Sequence, residues 1–318
     1  MKTMENGKKE KRWLPALLIV LSLGIAAAVL LPLLWFIPAR ELAKTDAVVI
    51  VEEAESVETP APKATVPPYD PALGDYTGWV TANGDLFYLR NGVAVTGLQR
   101  IDGRYCYFDA RGVKAAAVGV DVSTYNENID WERVKAQGID FAIIRVGGRG
   151  WTSGGVYADL RCEAYLRGAD KAGLQLGVYF YSTAINEAEA VAEADYVLRV
   201  LKGRQLALPV FYDVEMSGEF PKGRADQLSS AERTKIALAF CQRIESAGYE
   251  AGVYSGRYFF MRSIDSKAMS RYTLWLAAYT KDGMPPSFGQ DYRFWQFTDR
   301  GGVDGILCGT DMNVMFSP

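Results

Sequence analysis

Residues 208–215 read Leu-Pro-Val-Phe-Tyr-Asp-Val-Glu. A proline opens an apolar, aromatic run of strand length, and two carboxylates close it. Alternate residues of a strand share a face, so Asp213 and Glu215 project side by side from its end. Two like charges in a partly buried cleft raise one pKa, which leaves one carboxyl protonated beside an ionised neighbour. Two acids on a strand-end loop that bind water or a cation fit the same eight residues. The surrounding pattern has to separate the two readings.

Outward from this run, strand and helix patterns alternate over residues 116–318. Strands are expected at Val118–Val122, Phe141–Val146, Leu176–Tyr181, 208–215 and Ala251–Tyr254. Helices are expected at Ile129–Gln137, Leu160–Lys171, Glu187–Leu201 and Ser229–Ser246, the last capped by Ser229 or Ser230 ahead of Glu232. Beyond Tyr254 the helices shrink, and Leu274–Tyr279, Arg293–Phe297 and a stretch ending at Phe316 follow as strands. Repeated βα units predict an α/β fold, a parallel barrel with its site at the strand C-termini. A doubly wound open sheet is the alternative, but no glycine-rich phosphate loop follows the first strand.

The segments before the barrel differ in kind. Residues 1–12 carry Lys2, Lys8, Lys9, Lys11 and Arg12 against Glu5 and Glu10. The uncharged run from Trp13 to Ile37, about 25 residues, is long enough to cross a bilayer, so 13–38 read as an N-terminal transmembrane helix. The basic flank puts the N-terminus in the cytoplasm and the rest outside a bacterial cell membrane, single-pass, with Trp13 and Trp35 at the interfaces. Cleavage near Glu41-Leu42-Ala43 is the alternative to an intact anchor. Residues 39–77, with Pro60, Pro62, Pro67, Pro68 and Pro71, read as an extended stalk. Residues 78–115 hold two copies of a pattern of about 20 residues, with turns at Asn83-Gly84, Asn91-Gly92, Asp102-Gly103 and Arg111-Gly112. Such turns between aromatic-rich segments predict a small module of stacked β-hairpins.

Composition narrows the chemistry. The 318 residues are 49% apolar, and the net charge of -3 gives no nucleic-acid footprint. There is no histidine, which excludes Ser-His-Asp and Cys-His catalysis and the usual zinc and haem ligands. Cys106, Cys162, Cys241 and Cys308 are scattered without a CxxC pair, so no metal and no cofactor is expected. Disulfides and buried free thiols both fit those four.

The strand ends gather acids and aromatics: Asp121, Arg145, Tyr179 and Tyr181, Asp213 and Glu215, Tyr254, Trp275 and Tyr279, Trp295 and Gln296, and Asp311. Paired carboxyls with aromatic faces around one mouth suit glycoside hydrolysis on a polysaccharide. Asp121 or Asp311 taken singly fits a turn or cap as well.

The motifs GVDVSTYNENIDWERVKAQGIDFAIIRVGG, LGVYFYS, LPVFYDVE, YEAGVYSG, LWLAAY, FWQFT and GVDGILCGTDMN, in that order, make 117–318 resemble glycoside hydrolase family 25, the lysozymes (N-acetylmuramidases) of the cellosyl and phage endolysin type. The resemblance implies an irregular TIM-like barrel with eight strands and reduced helices in its C-terminal half. It implies cleavage, with retention, of the β-1,4 bond between N-acetylmuramic acid and N-acetylglucosamine in peptidoglycan glycan strands. Carried over, Glu215 is the general acid and Asp213 its partner, a nucleophile or the group that orients a reacting N-acetyl. Asp121 and Asp311 match the other two cleft acids, and Tyr181 stands near the N-acetyl group. Asn126 departs from the glutamine of many members. Residues 78–115 resemble the cell-wall-binding repeats of choline-binding-type proteins. By that resemblance Trp79, Phe87, Tyr88, Tyr105, Tyr107 and Phe108 would bind a wall component, or else form a rigid spacer. Gln99-Arg100 departs where repeats carry Trp. Membrane lipid is the partner of the anchor. Two alternatives stay open: a non-catalytic wall-glycan-binding protein, and another retaining N-acetylhexosamine glycosidase. A chitinase-like DxxDxDxE run is absent, since Phe211 precedes Asp213 by two. A protonated Glu215 also predicts an acidic-to-neutral optimum.

Overall fold

The computed structural model describes residues 74–115, 117–216 and 223–316, all within one compact unit spanning 61–318. The segments expected to form a basic tail, a transmembrane helix and nearly all of a stalk lie outside the described residues. Among the described residues no helix is long and apolar enough to cross a membrane.

The hairpin segment forms β1 (Gly78–Ala82), β2 (Asp85–Arg90) and β3 (Val93–Ala94) in one small sheet, then β4 (Gly97–Ile101) and β5 (Arg104–Phe108) in another. Asn83-Gly84, Asn91-Gly92 and Asp102-Gly103 all take positive φ at both residues, as two-residue hairpin turns require. The barrel follows as β6 (Ala117–Val122), α1 (Trp131–Ala136), β7 (Phe141–Arg149), β8 (Val156–Ala158), α2 (Cys162–Lys171), β9 (Gln175–Ser182), α3 (Glu187–Leu201), β10 (Val210–Val214), α4 (Ser230–Ser246), β11 (Ala251–Gly256), α5 (Arg257–Arg262), β12 (Thr273–Ala277), β13 (Phe294–Gly301) and β14 (Thr310–Met315). Ser229 and Glu232 form the capping box that starts α4.

Eight strands close the barrel in the order β6, β7, β9, β10, β11, β12, β13, β14, and β14 returns to β6. One expectation needs correction. β14 runs antiparallel to both β13 and β6, so the barrel is not wholly parallel. The link over 302–309 is too short for a crossover, and a short link turns the chain back on itself. β8 lies outside the closed ring, antiparallel along the end of β7.

Strand alternation sorts the side chains into two layers. Phe141, Phe211, Trp275, Phe294 and Met315 fill the barrel interior with Leu208 and Tyr254. Val118, Val120, Ala142, Ile144, Val178, Val210 and Val253 face outward onto the helices. Glycines in the inner register are matched to aromatic partners: a Cβ on Gly119 would sit 2.3 Å from the Phe141 ring.

The hairpins dock on this barrel. Tyr107 is buried edge-on to Trp295 at 5.7 Å and donates its hydroxyl to Gly283 O at 3.0 Å. The Tyr105 hydroxyl donates to Gly302 O at 2.5 Å. Phe87, Tyr107 and Phe108 are thus core residues, not walls of a ligand cage. Trp79, edge-on to Tyr88 at 5.2 Å, keeps an exposed face. All four cysteines are free thiols, three of them buried.

Candidate active site

The inward register of the strands converges on one mouth at their C-terminal ends. Asp121 and Asp311 are paired across β6 and β14. Asp213 pairs with Tyr181 on β9 and Tyr254 on β11. Glu215 follows β10 directly and is exposed toward solvent. The peptide before it is held by Ser255, whose buried hydroxyl donates to Val214 O at 2.6 Å.

A fixed chain of donors orients Asp121. An indole N–H can only donate. Trp275 Nε1 donates to Asn313 Oδ1 at 2.8 Å, which sets the amide so that Asn313 Nδ2 donates to Asp121 Oδ2 at 2.8 Å. Gln296 Nε2 reaches the same oxygen at 2.9 Å. With Oδ2 taken by two N–H donors, a proton on Asp121 belongs on Oδ1, shared with Asp311. Burial and then Asp311 push the Asp121 carboxyl well above the usual range, against the pull of the two amides. Burial raises Asp311 to about 6, while the hydrogen bond from Asp121 lowers it.

Across the mouth, burial pushes Asp213 up, and Glu215 and Asp121 push it further, with Arg145 opposing. Glu215 is raised by burial, with the neighbouring Tyr254 hydroxyl opposing and Asp311 adding to the rise. Asp213 Oδ1 is buried and has no hydrogen-bond partner among the described residues. The two carboxyls titrate as a pair. A donor arriving at Oδ1 would favour ionised Asp213 and leave the proton on Glu215.

Arg145 lies half covered beside Asp213, its Nε donating to Asp159 Oδ2 at 2.8 Å, with the exposed Tyr125 ring 5.1 Å above it. Tyr181 borders Asp213 and Glu215, and Tyr179 lies deeper beside Asp121. On the Glu215 side a pocket of about 370 Å³ is lined by Met216, Tyr254, Tyr258, Phe259, Ala277, Ala278 and Tyr279 as well as the acid. Behind β10, Ser182 Oγ joins Glu193 at 2.6 Å and the Tyr212 hydroxyl at 3.0 Å, and Arg149 Nε reaches Glu193 at 2.5 Å. Burial raises Glu193 to about 7.

Two expected contact residues are elsewhere. Trp295 is fully buried on the outer face of β13, its Nε1 donating to Ala278 O at 2.8 Å, because the residue next to inward-facing Gln296 must face out. Trp275 is buried one layer below the mouth, among Phe211, Tyr179 and Tyr254, where it orients Asn313 instead of meeting solvent. Conversely, the sequence reading passes over Asn313, Asp159, Tyr125 and Tyr157. Asn313 stands two residues from Asp311 on one strand, so alternation alone puts it on the same face. Tyr157 comes from β8, next to Arg145 and Asp213, and no periodicity announces that strand. Asn126 accepts from Ser123 N at 2.9 Å and donates to Thr310 Oγ1 at 3.4 Å, tying the end of β6 to β14.

Among the described residues no group of His, Cys, Asp and Glu could hold a metal ion. A profile of the family described as Glycosyl hydrolases family 25 matches residues 120–306. The YegX protein of Escherichia coli K12 is 30% identical over 223 residues, covering 65% of this chain and 76% of YegX. Lysozyme M1 of Streptomyces globisporus is 35% identical over 88 residues, 28% of this chain and 26% of that enzyme. The modular autolysin LytC of Streptococcus pneumoniae superposes with a TM-score of 0.59 at 23% identity, over 75% of this chain; the chain spans 58% of LytC.

Proposed function

Since the chain belongs to glycosyl hydrolase family 25 and is therefore a glycoside hydrolase, we propose that it is a membrane-anchored peptidoglycan hydrolase that cuts the β-1,4 bond from N-acetylmuramic acid to N-acetylglucosamine with retention. The observation that carries this reading is the Asp213–Glu215 pair: two adjacent carboxyls with raised pKa values, one open to the mouth and one buried with an oxygen that has no partner among the described residues. Glu215 holds the proton and delivers it to the leaving oxygen. Asp213 Oδ1 accepts the N–H of the 2-acetamido group of the sugar being attacked. That bond keeps Asp213 ionised, turns the acetyl oxygen toward the anomeric carbon and sustains the positive charge that develops there. Attack by the acetyl oxygen and then by water gives net retention. Asp121 and Asp311 share a proton opposite. Tyr181, Arg145 and Tyr279 border the sugar path. The names of Lysozyme M1 and of the autolysin LytC support the substrate.

The uncharged run at 13–38 and its basic flank support an anchor with the barrel outside the membrane. The test is digestion of insoluble peptidoglycan by the full chain, with mass spectrometry of released fragments. New reducing-end N-acetylmuramic acid, lost in Glu215→Gln and Asp213→Asn, is expected. Reducing-end N-acetylglucosamine would contradict the assigned bond. Sedimentation with the wall and no release would favour a binding protein. Protease shaving of intact cells tests the anchor, since an outside barrel is digested while 1–12 are protected.

A further inference from the structure

The residues beside the acid form a hydrogen-bond circuit with one donor in excess. Tyr254 is buried, and its ring lies against Trp275 at 4.4 Å between centroids, so only its O–H proton is free to turn. That hydroxyl donates to Gln296 Oε1 at 3.0 Å. The same oxygen accepts the Tyr279 hydroxyl at 2.8 Å, while the amide nitrogen of Gln296 is engaged by Asp121. Tyr254 and Glu215 also line one pocket from neighbouring strands, and the Tyr254 hydroxyl favours the ionised form of Glu215. A hydroxyl carries one proton, so it serves Gln296 or Glu215 and not both. Gln296 keeps a donor in either case, because Tyr279 remains.

We propose that Tyr254 is a two-position switch whose hydroxyl donates to Gln296 while Glu215 is protonated and turns to Glu215 once the acid has given up its proton. The inference rests on Glu215 acting as the acid. A protonated carboxyl has little use for the donor, whereas a carboxylate gains a charge-assisted bond. The swing breaks no covalent bond. The Glu215 proton goes to the glycosidic oxygen as the C–O bond breaks, Tyr254 keeps its own proton, and Gln296 Oε1 passes from two donors to one. The new bond forms as negative charge develops, so it favours the transition state over the ground state. Tyr279 permits the swing, since without it Gln296 Oε1 would lose its last hydroxyl donor. Glu215 faces Asp213 from β10, Asp311 from β14, Tyr181 from β9, Tyr254 from β11 and Tyr279 from the segment after β12. The two acids oppose ionisation of Glu215, and the Tyr254 hydroxyl favours it. Tyr254 and Tyr279 are then positioning residues.

The test is the pH dependence of kcat and kcat/KM for the full chain on soluble peptidoglycan fragments, in the parent, Tyr254→Phe, Tyr279→Phe and the double variant. The basic limb of kcat/KM reports loss of the Glu215 proton. Tyr254→Phe is expected to move that limb up by about one pH unit, the worth of a hydrogen bond to a charged group, and to lower kcat about tenfold with KM little changed. Tyr279→Phe, at a half-exposed side chain that leaves the core intact, moves the limb the same way by a smaller amount because it holds Tyr254 on Gln296. The double variant matches Tyr254→Phe alone. Shifts that add, or a limb that stays in place in both single variants while the parent cleaves, overturn the switch. A parent that leaves peptidoglycan intact overturns the muramidase reading, and the switch with it.

Discussion

Replacing Tyr107 by alanine tests whether the hairpins belong to the barrel's core. The side chain is 1% exposed, its ring packs on Trp295, Phe297 and Phe316 at 5.7, 6.3 and 6.5 Å, and its hydroxyl serves Gly283 O. Truncating a fully buried aromatic costs about 3–5 kcal/mol in lost transfer free energy and cavity. The carbonyl deprived of its donor adds about 1 kcal/mol. Tyr107→Phe isolates the second contribution at about 0.5–1.5 kcal/mol. Against a total stability of about 5–15 kcal/mol the larger change is severe. The assay is urea unfolding of the full chain in detergent, followed by tryptophan fluorescence in a Trp79→Phe background, so that within residues 78–318 the signal comes from the barrel. Tyr107→Ala should bring the barrel transition to a clearly lower midpoint, with Tyr107→Phe in between. A barrel transition that keeps its midpoint while the hairpins alone melt would refute the reasoning and make the hairpins an independent module.

Asp311 offers a pH test of the acid cluster. Its folded pKa is raised to about 6 from 3.8, so the folded state holds the proton more tightly than the unfolded one. That stabilisation is complete below about pH 4 and is lost as pH rises through 6, so Tm should fall across that window and Asp311→Asn should flatten the fall. Gly119→Ala places a methyl against Phe141, itself fully buried, and should cost at least the roughly 1–3 kcal/mol of an overpacked core; an unchanged Tm would contradict the packing. Trp275→Phe removes the N–H that sets the Asn313 amide and leaves a small cavity where the indole packs on Tyr179, Phe211 and Tyr254. Activity should drop about tenfold with a stability loss of about 2–4 kcal/mol from the cavity and the lost hydrogen bond, and full activity would show that Asp121 needs no such orientation.

What the sequence discloses, and what it hides, follows from period and sign. Asp213 and Glu215 are legible because a proline-led apolar run can end in two acids at i, i+2 only by presenting both to one face. Alternation also separates Gln296 from Trp295, but it does not say which of the two looks inward; packing against Tyr107 decides that, and Tyr107 lies outside the barrel motifs. The hairpin aromatics illustrate the same limit. An aromatic-rich strand between Asn-Gly turns is one and the same pattern whether its rings enclose a ligand or rest on a neighbouring domain. The reversal of β14 is foreshadowed by the shortness of 302–309. Tyr157 carries no signal, because β8 is three residues long and owes its place to the overhang of β7.

The closure of β6 onto β14 has a consequence for how the enzyme comes into being. Asp121 takes its Asn313 donor from a residue 192 positions further along the chain. During synthesis the first acid emerges long before its partners, and every earlier strand can pair while the ring stays open. The catalytic cluster is therefore complete only once this long-range pairing has formed. A polypeptide interrupted between Glu215 and β14 carries Asp213 and Glu215 yet lacks Asp311, Asn313 and the closed wall. Ribosomal stalling or proteolytic clipping of that strand thus yields an inert fragment rather than an unregulated hydrolase.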